Sequence, residues 1–300
     1  MTTKPLQKPQ KLDLALLSGQ GIVKHKEYRF IASNFGYVNS FREVGSSLFR
    51  KNQPYQIEEK RIVFIRQGSG KVLVNLIEYE LVPNMLILVP GRSIIELRDY
   101  TVDFNLQMMA IGDDLILPHG NEEFFGYFLN SRPTLSFHLS PDEVRQVDLF
   151  FTLIWDILQE PSFREKAIGN LIKALLHQVE SSYQTRQENK ESKNTHQEEI
   201  FQRFIGLVNE HCKTERRVDY YANKLCLTPR YLNTVIRQIS GQTVMDWIDQ
   251  AIVLEAKVML KHSNALIFEI SDKLNFPNPS FFCKFFKKKV GMTPKTYQKE

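Results

Sequence analysis

The chain has 300 residues, 42% of them hydrophobic, and a formal net charge of +5. This length and composition are typical of a globular protein of about two domains. No apolar run approaches the roughly 18 residues that a membrane span needs, and the N-terminal apolar stretch is too short for a secretory signal. We therefore expect a cytoplasmic protein that does not insert into a membrane.

The positive charge is concentrated in the last third of the chain. Residues 198–300 contain 16 Lys and Arg against 11 Asp and Glu, whereas the preceding residues are balanced. A basic region of this kind favours a polyanionic partner. The three cysteines and seven histidines have no metal-ligand spacing. The sequence thus disfavours a metalloenzyme or a secreted disulfide framework, and it predicts neither a cofactor nor a metal site.

From about residue 20 to residue 118 the pattern predicts β-strands. Short β-branched runs at 61–65, 71–77 and 85–89 are separated by Gly and Pro turns. Many short strands at close spacing indicate a β-sandwich or a small barrel. Gly68 and Gly70 do not precede a helix, so they predict a hairpin turn rather than a nucleotide-binding loop.

Two helices with apolar faces are predicted over about 141–180. They could pack on the strands that precede them, or they could form a dimerisation hairpin with a second copy. The next segment, 181–199, is almost free of aliphatic residues and predicts a linker, although its beginning could continue the preceding helix. The domains are therefore expected at 1–180 and 200–300.

After residue 199 the pattern is helical, and one motif occurs twice. LTPRYLNTVIRQISGQT, residues 227–243, recurs as PNPSFFCKFFKKKVGMT, residues 277–293. Each copy starts with a capping residue and Pro and ends at Gly, which predicts a helix with defined ends. A short helix is predicted before each copy, at Val218–Leu225 and Ile267–Leu274. The sequence therefore predicts two helix-turn-helix motifs.

The two repeated helices are each predicted to have one buried and one exposed face. At about 100° per residue, the apolar side chains of each copy share one face, and polar side chains share the other. Arg, Lys, Asn, Gln, Ser and Thr are the side chains that bind phosphates and base edges. The predicted DNA-binding residues are Arg230, Asn233, Thr234, Arg237 and Gln238 in the first copy, and Ser280, Cys283, Lys284, Lys287 and Lys288 in the second.

A third helix, predicted over Thr243–Lys261, connects the two motifs. It has no Gly or Pro and is apolar on more than one face, which indicates burial. Its length of roughly 28 Å approaches one turn of B-DNA, about 34 Å. A buried connection of this length could hold the two repeated helices in successive major grooves.

The stretch SFFCKFFKKKVGMTP, residues 280–294, also allows another interpretation. An amphipathic helix rich in Phe and Lys could lie on a membrane surface or bind an acidic partner helix. That function requires an exposed Phe face, whereas the repeated motif favours burial of most of the Phe side chains. An enzyme built on the β domain is a third alternative, but the sequence shows no catalytic triad or ligand cluster.

Two stretches carry a family resemblance: VDYYANKLCLTPRYLNTVIRQISGQTVMDWI and LEAKVMLKHSNALIFEISDKLNFPNPSFFCKFFKKKVGMTPKTYQ. They resemble the AraC/XylS family of bacterial transcription regulators, in the form found in Bacteroidetes. The resemblance covers about Ile200 to Gln298. It departs from the family pattern at Ser271, where Ala is usual, and at Asn275, where Gly is usual.

The resemblance implies an α+β protein with an N-terminal cupin-like β-barrel, appended helices and a C-terminal all-α domain with two helix-turn-helix motifs. It further implies sequence-specific binding of double-stranded DNA, contact with RNA polymerase, homodimerisation through the appended helices, and a small-molecule effector. Catalytic cupins need a metal motif, and only His25 and His119 lie near this segment. We therefore expect a transcription activator with a sensor domain, not an enzyme.

Overall fold

The computed structural model describes residues 13–14, 17, 23–25, 27–116, 134–189, 196–263 and 265–299. The chain divides into two compact units, one formed mostly by residues up to 191 and the other mostly by residues from 192 onward. The first unit is rich in β-sheet and the second is helical, which confirms the predicted α+β organisation. His119 and the segment 190–195 of the predicted linker lie outside the described residues.

The described β-strands and the first four described helices belong mainly to the first unit. The strands are β1 (Val23–His25), β2 (Arg29–Ile31), β3 (Phe35–Val38), β4 (Pro54–Gln56), β5 (Lys60–Gln67), β6 (Gly70–Val74), β7 (Ile77–Leu81), β8 (Met85–Val89), β9 (Ile94–Tyr100), β10 (Asn105–Ile111) and β11 (Leu135–His138). The helices are α1 (Phe41–Leu48), α2 (Asp113–Ile116), α3 (Pro141–Gln159) and α4 (Glu165–Asn189).

The described strands form two sheets. The larger has the order β1-β2-β3-β10-β5-β8-β11 and the smaller the order β4-β9-β6-β7. Side chains from β5, β8 and β10 of the larger sheet form one apolar core with side chains from β6 and β9 of the smaller sheet, as alternating side chains on paired strands require.

The connection at Gly68 differs from the prediction. Because β5 pairs with β8 and β10 while β6 pairs with β9, Gly68 carries the chain from one sheet to the other and does not close a hairpin. Gly68 has φ +71°, and a Cβ atom there would lie 2.6 Å from the Cα atom of Phe104. Close packing against the segment that ends in Phe104 therefore explains the glycine.

The predicted run at 71–77 is also divided in the structure. Asn75 adopts φ +55°, a left-handed conformation that Asn tolerates better than most residues. It separates β6 from β7, which are neighbours in the smaller sheet. A single Asn thus supplies a turn that the β-branched pattern concealed.

Helices α3 and α4 pack on the outer face of the larger sheet. Ser140 and Glu143 form a capping box that starts α3. The hydroxyl of Tyr37 in β3 donates to the carbonyl of Phe151 in α3 at 2.9 Å, and the rings of Phe64 and Phe151 lie 5.6 Å apart. Packing on the preceding strands, one of the two predicted alternatives, is therefore confirmed.

Helix α4 continues into the predicted linker as far as Asn189, and the next helix begins at His196. Residues 181–189 contain Gln, Arg and Glu, which are good helix formers. A segment that lacks a core pattern can therefore extend an existing helix, and the region without described secondary structure is shorter than the sequence indicated.

The second unit consists of helices. They are α5 (His196–His211), α6 (Val218–Lys224), α7 (Pro229–Ser240), α8 (Val244–His262), α9 (Ile267–Lys273), α10 (Pro279–Val290) and α11 (Pro294–Lys299). A capping box of Thr243 and Asp246 starts α8, which contacts α5, α7, α9, α10 and α11 and has buried residues on several faces. None of the described helices is both long enough and apolar enough to cross a membrane.

Candidate nucleic-acid interface

Helices α7 and α10 have matching ends, as the sequence repeat predicts. The side chains of Thr228 and Asn278 accept hydrogen bonds from the third residue of each helix, and Pro follows each cap. Gly241 and Gly291 end the helices with φ +72° and +89°. These side-chain caps and left-handed glycines fix where each helix begins and ends.

The turns that precede the two helices also match. Cys226 and Asn275 have φ +58° and +53°, just after the ends of α6 and α9. In the first turn the amide of Leu227 donates to the carbonyl of Ala222 at 2.9 Å, and in the second the amide of Phe276 donates to the carbonyl of Ser271 at 3.0 Å. Both turns are Schellman motifs. The second contains one additional residue, Pro277, before the cap.

The buried faces of α7 and α10 lie largely where the pattern placed them, although Ile239, predicted on the apolar face of α7, has 37% of its surface exposed. Leu232, Val235 and Ile236 are buried in α7, and Phe282 and Phe286 are buried in α10. Phe285 is half-buried, and Phe281 has 58% of its surface exposed. The Phe-rich stretch is therefore mainly part of the domain core, which argues against the membrane-surface alternative.

The predicted DNA-binding residues occupy the exposed side of the two helices to different degrees. Exposed residues are Arg230, Thr234, Arg237 and Gln238 in α7, and Ser280, Lys284, Lys287 and Lys288 in α10. Asn233 and Cys283, at equivalent positions, are half-buried. Neither helix contains Asp or Glu, so no acidic residue of its own lowers the positive potential of either surface.

Asn233 has hydrogen-bond partners inside the domain. Its amide nitrogen donates to the carbonyl of Pro229 at 3.1 Å, and its amide oxygen accepts from the backbone N–H of Val244 at 3.4 Å. This side chain therefore ties α7 to the first turn of α8. At the opposite border of the surface, the Gln238 amide oxygen accepts from Gln197 of α5 at 3.2 Å. The central residues of the α7 surface are thus Arg230, Thr234 and Arg237.

The sequence analysis missed several polar residues that hold the helices in place. Lys289 of α10 forms an ion pair with Asp249 of α8 at 2.7 Å. Glu255, also on α8 and buried, pairs with Lys213 at 3.0 Å. Burial raises the pKa of the Glu255 carboxyl, and Lys213 opposes that shift. A charged residue inside an apolar pattern was the one available signal for Glu255, since such a residue needs a partner when buried.

Cys212 packs beside this ion pair. Burial, with a smaller contribution from the negative charge of Glu255, raises the pKa of its thiol to about 12. The thiol therefore stays protonated, as expected for an apolar packing residue.

Two exposed aromatic residues occupy equivalent positions near the starts of α7 and α10. Tyr231 has 42% of its surface exposed and Phe281 has 58%. The sequence pattern gave no signal for Tyr231. Both side chains lie next to the predicted DNA-binding surface.

The duplicated pair of short helices, with one capped helix of each pair exposing an acid-free polar face, defines a helix-turn-helix domain. Residues 221–300 match the family model described as "Helix-turn-helix domain". This domain is of the AraC type, which confirms the resemblance drawn from the sequence for this part of the chain.

Two relatives each match about a third of this chain. The regulatory protein PocR of Salmonella typhimurium is 25% identical over 96 residues, which are 32% of this chain and 32% of PocR. The HTH-type transcriptional activator RhaR of Escherichia coli K12 is 27% identical over 104 residues, which are 35% of this chain and 37% of RhaR. The chain thus matches about a third of the length of these relatives.

Among solved structures, ToxT of Vibrio cholerae O395 resembles the chain with a TM-score of 0.39 and 15% sequence identity. The superposition covers 88% of this chain and 95% of ToxT. No functional conclusion rests on a similarity of this size.

Proposed function

We propose that the protein is a sequence-specific transcription regulator that binds double-stranded DNA through both α7 and α10. The observation that carries the proposal is the duplication: each helix has the same caps, the same preceding Schellman turn and the same acid-free exposed face. Both pack on α8, whose 19 residues span about 28 Å. That length suits two helices that enter successive major grooves about 34 Å apart.

The exposed residues are proposed to divide into two groups. Arg230, Thr234 and Arg237 in α7 would contact base edges in one groove, because Arg binds guanine through two parallel hydrogen bonds. In α10, Ser280, Lys284 and Lys287 would contact the second groove, with Cys283 at its border. Lys288, at the edge of the surface, and Lys295 in α11 would bind phosphates. Asn233 and Gln238 lie at the borders of the α7 surface and would support DNA binding from there.

Selection of DNA from a random pool by the full chain tests this proposal, followed by footprinting on the selected duplex. We expect an enriched motif with two protected segments about one helical turn apart on the same side of the duplex. Enrichment of a single short segment would indicate that only one of the two helices reads the DNA sequence. Recovery of no enriched motif would contradict sequence-specific binding altogether.

Residues 1–180 are proposed to form a cupin-like sensor and dimerisation domain. Leu149 and Leu153, one turn apart on α3, have 70% and 47% of their surfaces exposed, although the opposite face of α3 is buried on the sheet. Two exposed Leu side chains on one helix suit a self-complementary interface between two copies. We therefore propose a homodimer that associates through α3.

Sedimentation equilibrium of the full chain tests the dimer. Leu149→Asp combined with Leu153→Asp should convert the dimer to a monomer, since the charges would be buried without partners. Val102→Asp is a matched control, because Val102 is 93% exposed and belongs to the connection between β9 and β10, not to α3. A wild-type monomer, or a double variant that still dimerises, would contradict the interface.

The proposed regulator acts as an activator that contacts RNA polymerase and responds to a small-molecule effector. The activator role is supported by RhaR, which is named as an activator. A protein of this function works on the chromosome, hence in the bacterial cytoplasm. Transcription in vitro from a promoter that carries the selected site would distinguish activation from repression, and addition of cell-extract metabolite fractions would reveal an effector as a change in transcript yield.

A further inference from the structure

A loop and a turn that are distant in sequence contact each other inside the helical domain. The loop between α5 and α6 contributes Thr214 and Arg216, and the turn between α9 and α10 contributes Leu274, Asn275 and Phe276. The Arg216 guanidinium donates to the carbonyl of Leu274, and the side-chain amide nitrogen (Nδ2) of Asn275 donates to the carbonyl of Thr214 at 2.9 Å. We call these five residues the loop-turn clip.

Arg216 also stacks on an aromatic ring. Its guanidinium carbon lies 3.6 Å from the centre of the Phe276 ring. An Arg side chain over an aromatic face gains cation–π attraction and has a fixed orientation. Burial lowers the pKa of this guanidinium, an effect that the carboxylate of Asp249 opposes. The partly buried guanidinium of Arg216 thus has a desolvation cost that a solvated surface charge would not have.

The clip is connected to both helix pairs. On one side, the hydroxyl of the buried Tyr221 in α6 donates to the carbonyl of Glu215 at 2.8 Å, so the loop is fixed to the first pair. On the other side, the ring of Phe276 lies 5.3 Å from the rings of both Phe282 and Phe285 in α10. A continuous path of contacts therefore joins α6 to α10 without passing through α8.

We propose that the clip fixes the angle and distance between α7 and α10 and thereby sets the spacing of the two DNA segments that the protein accepts. Arg216 is then a positioning residue, which acts through Leu274 and Phe276 and need not contact DNA. This inference rests on the proposed two-groove binding. One base pair changes the separation of two segments by about 3.4 Å and their relative rotation by about 35°. Two helices held by two independent connections should reject such a change more strongly than two helices held by α8 alone.

The test is the affinity of the full chain for a series of duplexes. Starting from the selected site, one or two base pairs are inserted or removed between the two protected segments. We expect the wild type to bind the original spacing best. In Arg216→Ala, the ratio of affinities between the original and the one-base-pair variants should fall about tenfold, the size of effect that loss of a charge-assisted hydrogen bond allows.

Two further variants make the result specific. Asn275→Gly removes the hydrogen bond to Thr214, and Gly accepts the left-handed φ of +53° at this position, so the turn is retained. It should relax the spacing preference in the same direction as Arg216→Ala. Arg217→Ala is the matched control, because Arg217 is exposed and its ion pair with Asp219, at 3.1 Å, is local. It should leave the spacing preference unchanged.

The outcomes separate the inference from the proposed function. If both clip variants weaken binding equally at every spacing, the clip contributes only to stability and the inference is overturned. It is also overturned if the preference survives in both variants. A wild type that binds the selected site but tolerates every spacing would instead refute two-groove binding itself.

Discussion

Replacement of Ser271 by Ala should stabilise the helical domain. Ser271 lies in α9 and is fully buried, and its hydroxyl has no hydrogen-bond partner among the described residues. Burial of an unpaired hydroxyl costs about 1–3 kcal/mol in proteins, and Ala is also the better helix former by a few tenths of a kcal/mol. Ala loses almost no packing here, since only one oxygen atom is removed. We expect a gain of about 1.5 kcal/mol in the free energy of unfolding.

The two tryptophans allow this gain to be measured in the full chain. Trp155 belongs to the first unit and Trp247 to the helical unit. In a Trp155→Phe background, fluorescence during guanidinium denaturation therefore reports on the helical unit. A gain of about 1.5 kcal/mol corresponds to a rise of roughly 6–12 °C in Tm for a unit of about 100 residues.

A second serine provides the control. The hydroxyl of Ser263 donates to the carbonyl of Met259 at 2.6 Å and accepts from the amide of Ala265 at 3.3 Å. Ser263→Ala should therefore destabilise the unit by about 1 kcal/mol. Opposite signs for the two Ser→Ala replacements would confirm the reasoning. A neutral or destabilising Ser271→Ala would refute it, because the hydroxyl would then have a partner.

Four other variants test the interface and its support. Arg237→Ala should weaken specific DNA binding by about 1–3 kcal/mol in fluorescence anisotropy, and equal losses on specific and random DNA would contradict base readout. Lys288→Ala should instead reduce the slope of log K against log salt concentration by about one and affect all sequences similarly. Cys226→Gly should stabilise the domain by about 0.5–1 kcal/mol in denaturant titrations, since Gly adopts the left-handed φ of +58° without strain. Lys213→Met should destabilise by about 2 kcal/mol at pH 7 because it leaves Glu255 without its charged partner. Burial raises the pKa of Glu255, so the folded protein binds a proton at this carboxylate more readily than the unfolded chain does. The loss of stability caused by Lys213→Met should therefore shrink as the pH falls towards the ordinary carboxyl pKa. A loss of stability that does not depend on pH would exclude this explanation.

The helical domain could be predicted closely from the sequence because its signals are local. Thr-Pro and Asn-Pro at the helix starts, Gly at the helix ends and apolar residues at helical spacing each act within a few residues. The observed α8, Val244–His262, differs from the predicted helix by one residue at each end. The buried ion pair of Lys213 with Glu255 and the loop-turn clip depend on residues far apart in the chain, and no local pattern indicates them.

The first unit was predicted less completely for the same physical reason. Strand pairing depends on which segments meet in space, and the local sequence does not specify this. The turn at Gly68 could therefore be a hairpin or a connection between the two sheets, and the sequence did not distinguish them. Helix α1 and strand β11 were not predicted at all. Helix α1 begins at Phe41 and contains Gly45 and two Ser, a composition that favours a loop when read without its packing partners.

The two helices proposed to bind DNA carry different cations, and this difference has a consequence for recognition. The exposed cations of α7 are Arg230 and Arg237, whereas those of α10 are lysines, among them Lys284, Lys287 and Lys288. A guanidinium presents a planar pair of donors that matches the guanine edge, whereas an ammonium is a compact charge with weak geometric preference. The segment bound by α7 should therefore be the more strongly conserved half of the selected DNA motif, and α10 should contribute more of the salt dependence. Exchange of the cations, with Arg237→Lys and Lys287→Arg in one chain, should move the stronger sequence preference from the segment bound by α7 to the segment bound by α10. An unchanged motif would show that the cation type does not determine which segment is read.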